Sequence, residues 1–185
     1  MKNHYFYGGP FSQWVPTKFV DENNVEYNCT EQYMMAHKAL LMNDHDMYYK
    51  IMAATDPSVM KYTYGRRVKN FDAELWDRHK FDIVFKGNLF KFTQNDRFNN
   101  YIKNCVNYHI AEASPTDTIW GIGLSINDAK KGLPWRGQNL LGEVIMNVRD
   151  FILDNPHIES HALSPAQLIS YIEQLRHEKL RNEDY

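Results

Sequence analysis

Glu31 and Lys38 are the pair of side chains whose types and spacing first suggest chemistry. They lie seven positions apart in Asn28 to Met42, a stretch that reads as one helix capped by Asn28. At 3.6 residues per turn they project from nearly the same face, separated by roughly 10 Å of helix axis. A ligand along that face would meet a carboxylate able to carry protons and an amine that is nucleophilic when neutral. A plainer reading stands beside this one. Asn28-x-x-Glu31 has the spacing of a capping box, in which the glutamate returns to the cap amide. Lys38 is then an ordinary solvated lysine.

Three further groups carry candidate chemistry. Asp117 and Trp120 sit in Thr116-Asp117-Thr118-Ile119-Trp120-Gly121-Ile122-Gly123, where Gly121 and Gly123 permit close backbone approach or unusual dihedrals. The alternative is a turn aspartate capping its own loop, next to a core tryptophan. Gly137-x-Asn139-x-Leu141-Gly142 opens a helix whose free N-terminal amides would attract phosphate. Asn139 as a simple N-cap is the alternative there and is compatible with the first reading. Gly65-Arg66-Arg67 is a second phosphate candidate, because guanidinium binds phosphate oxygens bidentately. A helix end stabilised by basic residues explains the same pattern.

The elements that must position these groups read as follows. Thr17–Val20 and Val25–Tyr27 are short strands around the polar turn Asp21-Glu22-Asn23-Asn24. Asp56-Pro57 opens a short helix ending near Gly65. Asp72 starts a longer helix through Thr93, and Asn95 caps another ending near Cys105. Tyr108–Ala113 is extended. Asn139 begins a helix to Leu153 with Leu141, Val144, Ile145 and Val148 on one face. A polar linker, Asp154–Leu163, precedes a last helix capped by Ser164-Pro165 and striped by Leu168, Ile169, Ile172 and Leu175. Its charged end, from Arg176, is expected to fray.

Taken in order, Tyr27-x-x-x-Glu31-Gln32-Tyr33-Met34-Met35-x-x-Lys38-Ala39, Gly65-Arg66, Lys91-Phe92, Asp117-x-x-Trp120-Gly121-Ile122-Gly123 and Trp135-x-Gly137-x-Asn139-x-Leu141-Gly142 resemble the NADAR family of YbiA-like N-glycosidases. The resemblance runs from about Phe6 to Arg149. Pro10-Phe11-Ser12-Gln13-Trp14 is similar to the family's opening loop, which places Ser12 and Trp14 at a pocket rim. The resemblance implies an α+β fold, mostly helical with a few short strands. It covers a domain over 1–153; the linker and C-terminal helix, 154–185, lie past the resemblance and are able to dock on the domain or on a partner.

It also implies an N-glycosyl hydrolase acting on a ribosylated amine, with ADP-ribosylated guanine in nucleic acid or nucleotide as the expected substrate. The catalytic residues are then Glu31, Lys38 and Asp117. Substrate contacts fall to Ser12, Trp14, Gly65, Arg66, Trp120, Gly121, Gly123, Asn139 and Gly142. Lys38 would capture ribose C1 as a Schiff base while Glu31 moves protons. Asp117 would orient ribose hydroxyls or assist the proton transfers, and Trp120 would stack a base. No metal or cofactor is implied. Two departures, Gln13 where the family often has Asn and Thr63 where a basic residue is common, bear on substrate identity. Riboflavin-pathway ribosylamino-pyrimidine phosphates are the alternative substrates. A non-catalytic module binding ADP-ribose or an NAD derivative is the alternative class, although a binder needs neither a proton carrier nor an amine nucleophile.

Composition bounds these readings. The 185 residues, 43% hydrophobic, suffice for one buried core. A net charge of −2 gives no general basic footprint, so a nucleic-acid substrate would need a local patch. An aromatic share of 14% fits a ring-rich core, with some rings free to line a pocket. Cys29 and Cys105 have no ligand or disulfide spacing and read as reduced thiols. With no apolar leader or membrane-length stretch, a cytoplasmic protein is expected. His157 and His161 lack partners for a metal site, and Asp44-His45-Asp46 reads as a solvated turn.

Overall fold

The computed structural model describes residues 2–158 and 163–183, with side chains through His177. Helices dominate, and two small two-stranded sheets complete an α+β fold. β2 (Phe19–Val20) and β3 (Glu26–Tyr27) pair antiparallel, with Phe19 opposite Tyr27. Asp21 makes their turn: its Oδ1 accepts from the Asn23 and Val25 amides, both at 2.9 Å, and its Oδ2 from the Tyr27 hydroxyl at 3.1 Å. The second sheet was only half legible. β4 (Tyr108–Glu112) is the expected extended segment, but it pairs in parallel with β1 (Lys2–Phe6), from Lys2↔Tyr108 to Phe6↔Glu112. Lys2–Phe6 has no alternating pattern to announce a strand. Its pairing closes over a hundred residues of intervening chain.

The helix caps were mostly legible because they are local. Asp72 accepts from the Leu75 amide at the start of α3 (Ala73–Thr93), and Asn95 accepts from the Phe98 amide at the start of α4 (Asp96–Lys103). Two local readings are corrected. Asp44 is not in a solvated turn. It is buried, capping α2 (His45–Ala53) through the Met47 amide at 3.2 Å and taking the Lys69 amide at 2.8 Å. α1 (Thr30–Leu41) is capped at Cys29 rather than Asn28. The Asn28 amide does receive a side chain, but from Gln32 at 2.8 Å. Gln32 therefore performs the task that the capping-box spacing suggested for Glu31.

α1 lies at the centre of the core. Tyr33, Met34, Met35, Ala36 and Ala39 are buried, and it packs against α2 and α3. After α2 the chain widens into a π-helical turn, Val59–Tyr64, and then tightens into a 3-10 turn, Gly65–Arg67. π-turns are rare and occur often at functional sites. A short helix that the sequence did not signal, α5 (Ile126–Lys130), precedes α6 (Leu140–Asp154). On α6 the predicted face of Leu141, Val144, Ile145 and Val148 is buried.

The C-terminal helix α7 (Pro165–Glu183) docks on this core. Leu168, Ile169 and Ile172 join the main apolar cluster, while Leu175 is half-buried. The Tyr171 hydroxyl donates to Asn155 at 2.6 Å, and Arg176 reaches Asp82 on α3 at 3.1 Å. Truncation after Asp154 is therefore expected to destabilise the domain. Three buried aliphatic side chains at about 1.5–3 kcal/mol each outweigh the exposed Arg176–Asp82 pair. A denaturant melt should show a clearly lowered midpoint. An unchanged midpoint would mean that α7 contributes nothing to stability. His161, and the residues beyond Glu183 for which fraying was expected, lie outside the described residues.

Candidate active site

One large cavity, of about 510 Å³, opens where the first loop, α1, the π-turn and the end of β4 meet. Ligand pockets fall in this size range. Its first wall is the loop Tyr7–Val15, whose placement rests on Lys91. Lys91 is fully buried on α3, and its Nζ donates to the Ser12 carbonyl at 2.9 Å, close to the Phe92 and Phe98 rings. Burial pushes its pKa down to about 7. The next carbonyl, of Gln13, accepts from the Glu31 amide at 2.9 Å and the Thr30 hydroxyl at 3.2 Å. The loop is thereby seated on the N-terminus of α1.

A charged centre lies inside. Glu31 is buried; its Oε2 accepts from Trp14 Nε1 at 3.2 Å, and its Oε1, also buried, has no hydrogen-bond partner among the described residues. Burial raises its pKa to about 7, against the opposing pull of Lys61. Lys61, from the π-turn, lies 3.3 Å from Asp117 Oδ2. Burial alone would lower the Lys61 pKa, but the charges of Glu31 and Asp117 reverse it and hold the amine protonated. Asp117 Oδ1 accepts from the Ile119 and Trp120 amides at 3.0 and 2.8 Å. Glu112, the last residue of β4, adds a third carboxyl, also raised to about 7 by burial and by Asp117. Aromatic side chains form much of the remaining wall: Tyr7, Trp14, Tyr62 and Trp120. Arg66 stands over Tyr62, its guanidinium carbon 4.8 Å from the ring centre.

Residues 3–153 match the NADAR domain. The chain belongs to the NADAR family. It is 48% identical over 147 residues to N-glycosidase R617 of Acanthamoeba polyphaga mimivirus, spanning 76% of this chain and 85% of that protein. It is 33% identical over 160 residues to the protein irg-1 of Caenorhabditis elegans, spanning 84% and 75%. The NMR structure of YbiA from E. coli superposes with a TM-score of 0.70, covering 88% of this chain and 92% of that one at 19% identity. The fold is thus the YbiA-like NADAR fold.

In this NADAR domain the cavity brings together Glu31, Asp117, Ser12, Trp14, Arg66 and Trp120 from the sequence-predicted set. The turn-capping reading of Asp117 holds, since one carboxylate oxygen accepts from the amides of its own turn, while the other faces Lys61. Lys38 is not in the cavity wall. Its Nζ donates to the Gly65 carbonyl at 2.8 Å and stands 4.3 Å from the centre of the Phe71 ring. Burial lowers its pKa, but the amine is already engaged beneath the site. Helical periodicity put Lys38 and Glu31 on one face correctly, yet the turn at Gly65 covers the lysine end of that face.

The phosphate site expected at the start of α6 is also corrected. The amides of Asn139, Leu140 and Leu141 donate to the carbonyls of Gly121, Ile119 and Trp120, leaving none of the three free for an anion. Asn139 is buried in the left-handed region at φ 59° and makes no cap bond. Its amide instead brackets β4, donating to the Ile110 carbonyl and accepting from the Glu112 amide, each at 3.0 Å. Gly65, Gly121 and Gly142 serve close packing: a side chain would meet Met35, the Asp117 carbonyl and the Ile110 carbonyl respectively. Gly123 has φ +68°, a conformation that L side chains rarely adopt. None of these four glycines, nor Asn139, lines the cavity.

Sequence reasoning missed Lys61, Tyr62, Glu112 and Tyr7, while Gln13, singled out as a departure in the opening loop, does line the cavity. Lys61 carried no local signal, because it lies in the π-turn Val59–Tyr64, whose register a 3.6-residue periodicity does not describe. Glu112 interrupts an otherwise apolar run, Ile110 to Ala113, but nothing in that run tells which cavity its charge faces. Among the described residues no group of three or more His, Cys, Asp or Glu is arranged to hold a metal ion. No described helix is long and apolar enough to cross a membrane.

Proposed function

We propose that this NADAR domain hydrolyses the N-glycosidic bond of an N-ribosylated amine, with ADP-ribosylated guanine as its substrate. One observation carries the reading: a lysine amine and a proton-holding glutamate, Lys61 and Glu31, share one aromatic-walled cavity. The similarity to a named N-glycosidase supports the reaction class. Four aromatic walls suit a planar base, and Arg66 suits a diphosphate.

The lysine of the mechanism is Lys61. Opening of the sugar ring breaks the C1–ring-oxygen bond; the oxygen takes the proton of the glycosidic nitrogen and C1 becomes a neutral imine of the leaving amine. Lys61 passes its proton to the Glu31 carboxylate and adds through Nζ to C1. Glu31, whose raised pKa makes it a better proton acceptor than an ordinary carboxylate, returns that proton to the departing amine. A sugar–lysine imine protonated on Nζ remains, the other Nζ proton having left on the departing amine, and water hydrolyses it to the free aldehyde and the lysine. Asp117 holds Lys61 in position throughout.

Incubation with ADP-ribosylated guanine oligonucleotide, ADP-ribosylated protein and a ribosylamino-pyrimidine phosphate tests the reading. Release of guanine-containing oligonucleotide free of ADP-ribose is expected. Release only from the pyrimidine phosphate would move the substrate to the riboflavin pathway. Tight binding with no release from any of the three would make the domain a binding module.

A further inference from the structure

The hydrolytic half of this reaction needs a base for the attacking water, and Asp117 is poorly placed to be it. Both Asp117 oxygens are committed, one to two backbone amides and one to Lys61. Glu31 is engaged with the amine side of the reaction, and one of its oxygens is held by Trp14. Glu112 is different. It faces the same cavity from the end of β4, and its Oε2 is shielded from solvent with no hydrogen-bond partner among the described residues. A shielded polar atom without a partner is costly and calls for an explanation.

The backbone around Glu112 is fixed unusually well. Its amide donates to Asn139 Oδ1 at 3.0 Å, and its carbonyl accepts from the Ile122 amide at 2.8 Å. Phe6 pairs with it in β1, and the Ala113 amide that follows donates to the Phe6 carbonyl at 2.7 Å. Three segments, from β1, the glycine-rich loop and the start of α6, thus converge on the backbone that carries this carboxylate. Locking a reactive group on a rigid element is what a catalytic position requires. It also gives Asn139 a purpose, since its side-chain bracket ends on the Glu112 amide.

We propose that Glu112 is the second acid–base residue of the site, taking the proton of the water that attacks C1 in the lysine-bound intermediate. This rests on the N-glycosidase reading. The water oxygen bonds to C1, its proton moves to Glu112 Oε2, and the C=N electron pair returns to Lys61 Nζ. Glu112 then gives that proton to Nζ and accepts the new hydroxyl proton as the C1–N bond breaks. The sugar leaves as an aldehyde and the lysine as an amine. The groups facing Glu112 are Asp117 and Glu31, which favour its protonated form, and Lys61, which favours the carboxylate; Arg66 lines the same cavity.

The test uses the full chain and an ADP-ribosylated guanine oligonucleotide. Glu112→Gln keeps size and shape. Its steady-state kcat is expected to fall about 100-fold or more, while guanine release in the first turnover stays within a few-fold of wild type. Borohydride should then trap more sugar adduct on Lys61 than in the wild-type protein. The variant should melt no lower than wild type at pH 8, because a poorly solvated carboxyl is replaced by a neutral amide. Formate should partly restore Glu112→Ala, which keeps the test open if the Gln protein folds poorly. A Glu112→Gln kcat within about threefold of wild type would overturn the proposal. So would an equal loss in the first turnover and the steady state, or an Ala variant deaf to formate. A wild-type protein that releases nothing from any ribosylated amine would instead overturn the N-glycosidase reading, and the role of Glu112 with it.

Discussion

Lys61→Arg is expected to be nearly dead, while Lys38→Arg retains most of its activity. Arginine can replace the Lys61 charge beside Glu31 and Asp117, but it stays protonated and cannot add to C1. If the Lys61 amine forms the covalent intermediate, Arg and Ala variants should both lose at least ~10⁴-fold in kcat/KM, the scale on which a lost nucleophile is felt. Lys38 offers the contrast. Its Nζ binds the Gly65 carbonyl and stacks over Phe71, contacts that arginine can approximate. Its substitution should alter the melting midpoint more than the rate. Borohydride added during turnover, followed by peptide mapping, should place the sugar adduct on Lys61. An adduct on Lys38 would restore the lysine that helical spacing first suggested. Absence of any adduct, with an active Lys61→Arg protein, would mean direct water attack assisted by carboxylates and an arginine-tolerant cation.

The contrast between these two lysines shows what the sequence could and could not convey. Caps such as Asp72 and Asn95 were legible because cap and amide lie three residues apart. The turn at Asp21 was legible for the same reason. Asp44 was misread because a partner that buries it, the Lys69 amide, lies 25 residues away. The start of α6 misled in a similar way: its glycine and asparagine spacing is what an anion site needs, but carbonyls from residues 119–121 reach its amides first. Glu31 was found for a partly mistaken reason. Its face of α1 does line a cavity, but its companion amine arrives from a π-turn whose register no 3.6-residue periodicity describes. The parts of the site that remained illegible, Lys61 and Glu112, are those set by the meeting of segments distant in sequence.

Glu31→Gln is expected to separate activity from stability. The amide is nearly isosteric, and its carbonyl oxygen can still accept from Trp14 Nε1, so the opening loop should keep its place. What disappears is the proton carried between Lys61 and the leaving amine, typically worth 10²–10⁴-fold, so kcat should fall by roughly that much. The wild-type pH–rate profile should carry the titration near 7 to which burial has moved both Glu31 and Glu112, and the variant should keep only the Glu112 part of it. Stability should move the other way. The folded pKa of Glu31 lies above its ordinary value of 4.5, so the folded protein holds a proton that the unfolded chain releases. The associated stabilisation is complete below about pH 4.5 and is lost as pH rises through about 7. Glutamine removes this slope, so the variant should melt at or above the wild-type temperature at pH 8, and the two melting curves should converge as the pH is lowered. A variant that is both inactive and markedly less stable at pH 8 would show that the Glu31 charge is needed to hold Lys61 and the fold around it. A variant of near wild-type rate would remove Glu31 from the chemistry, leaving Glu112 as the carboxyl in the cavity with an oxygen free to carry protons.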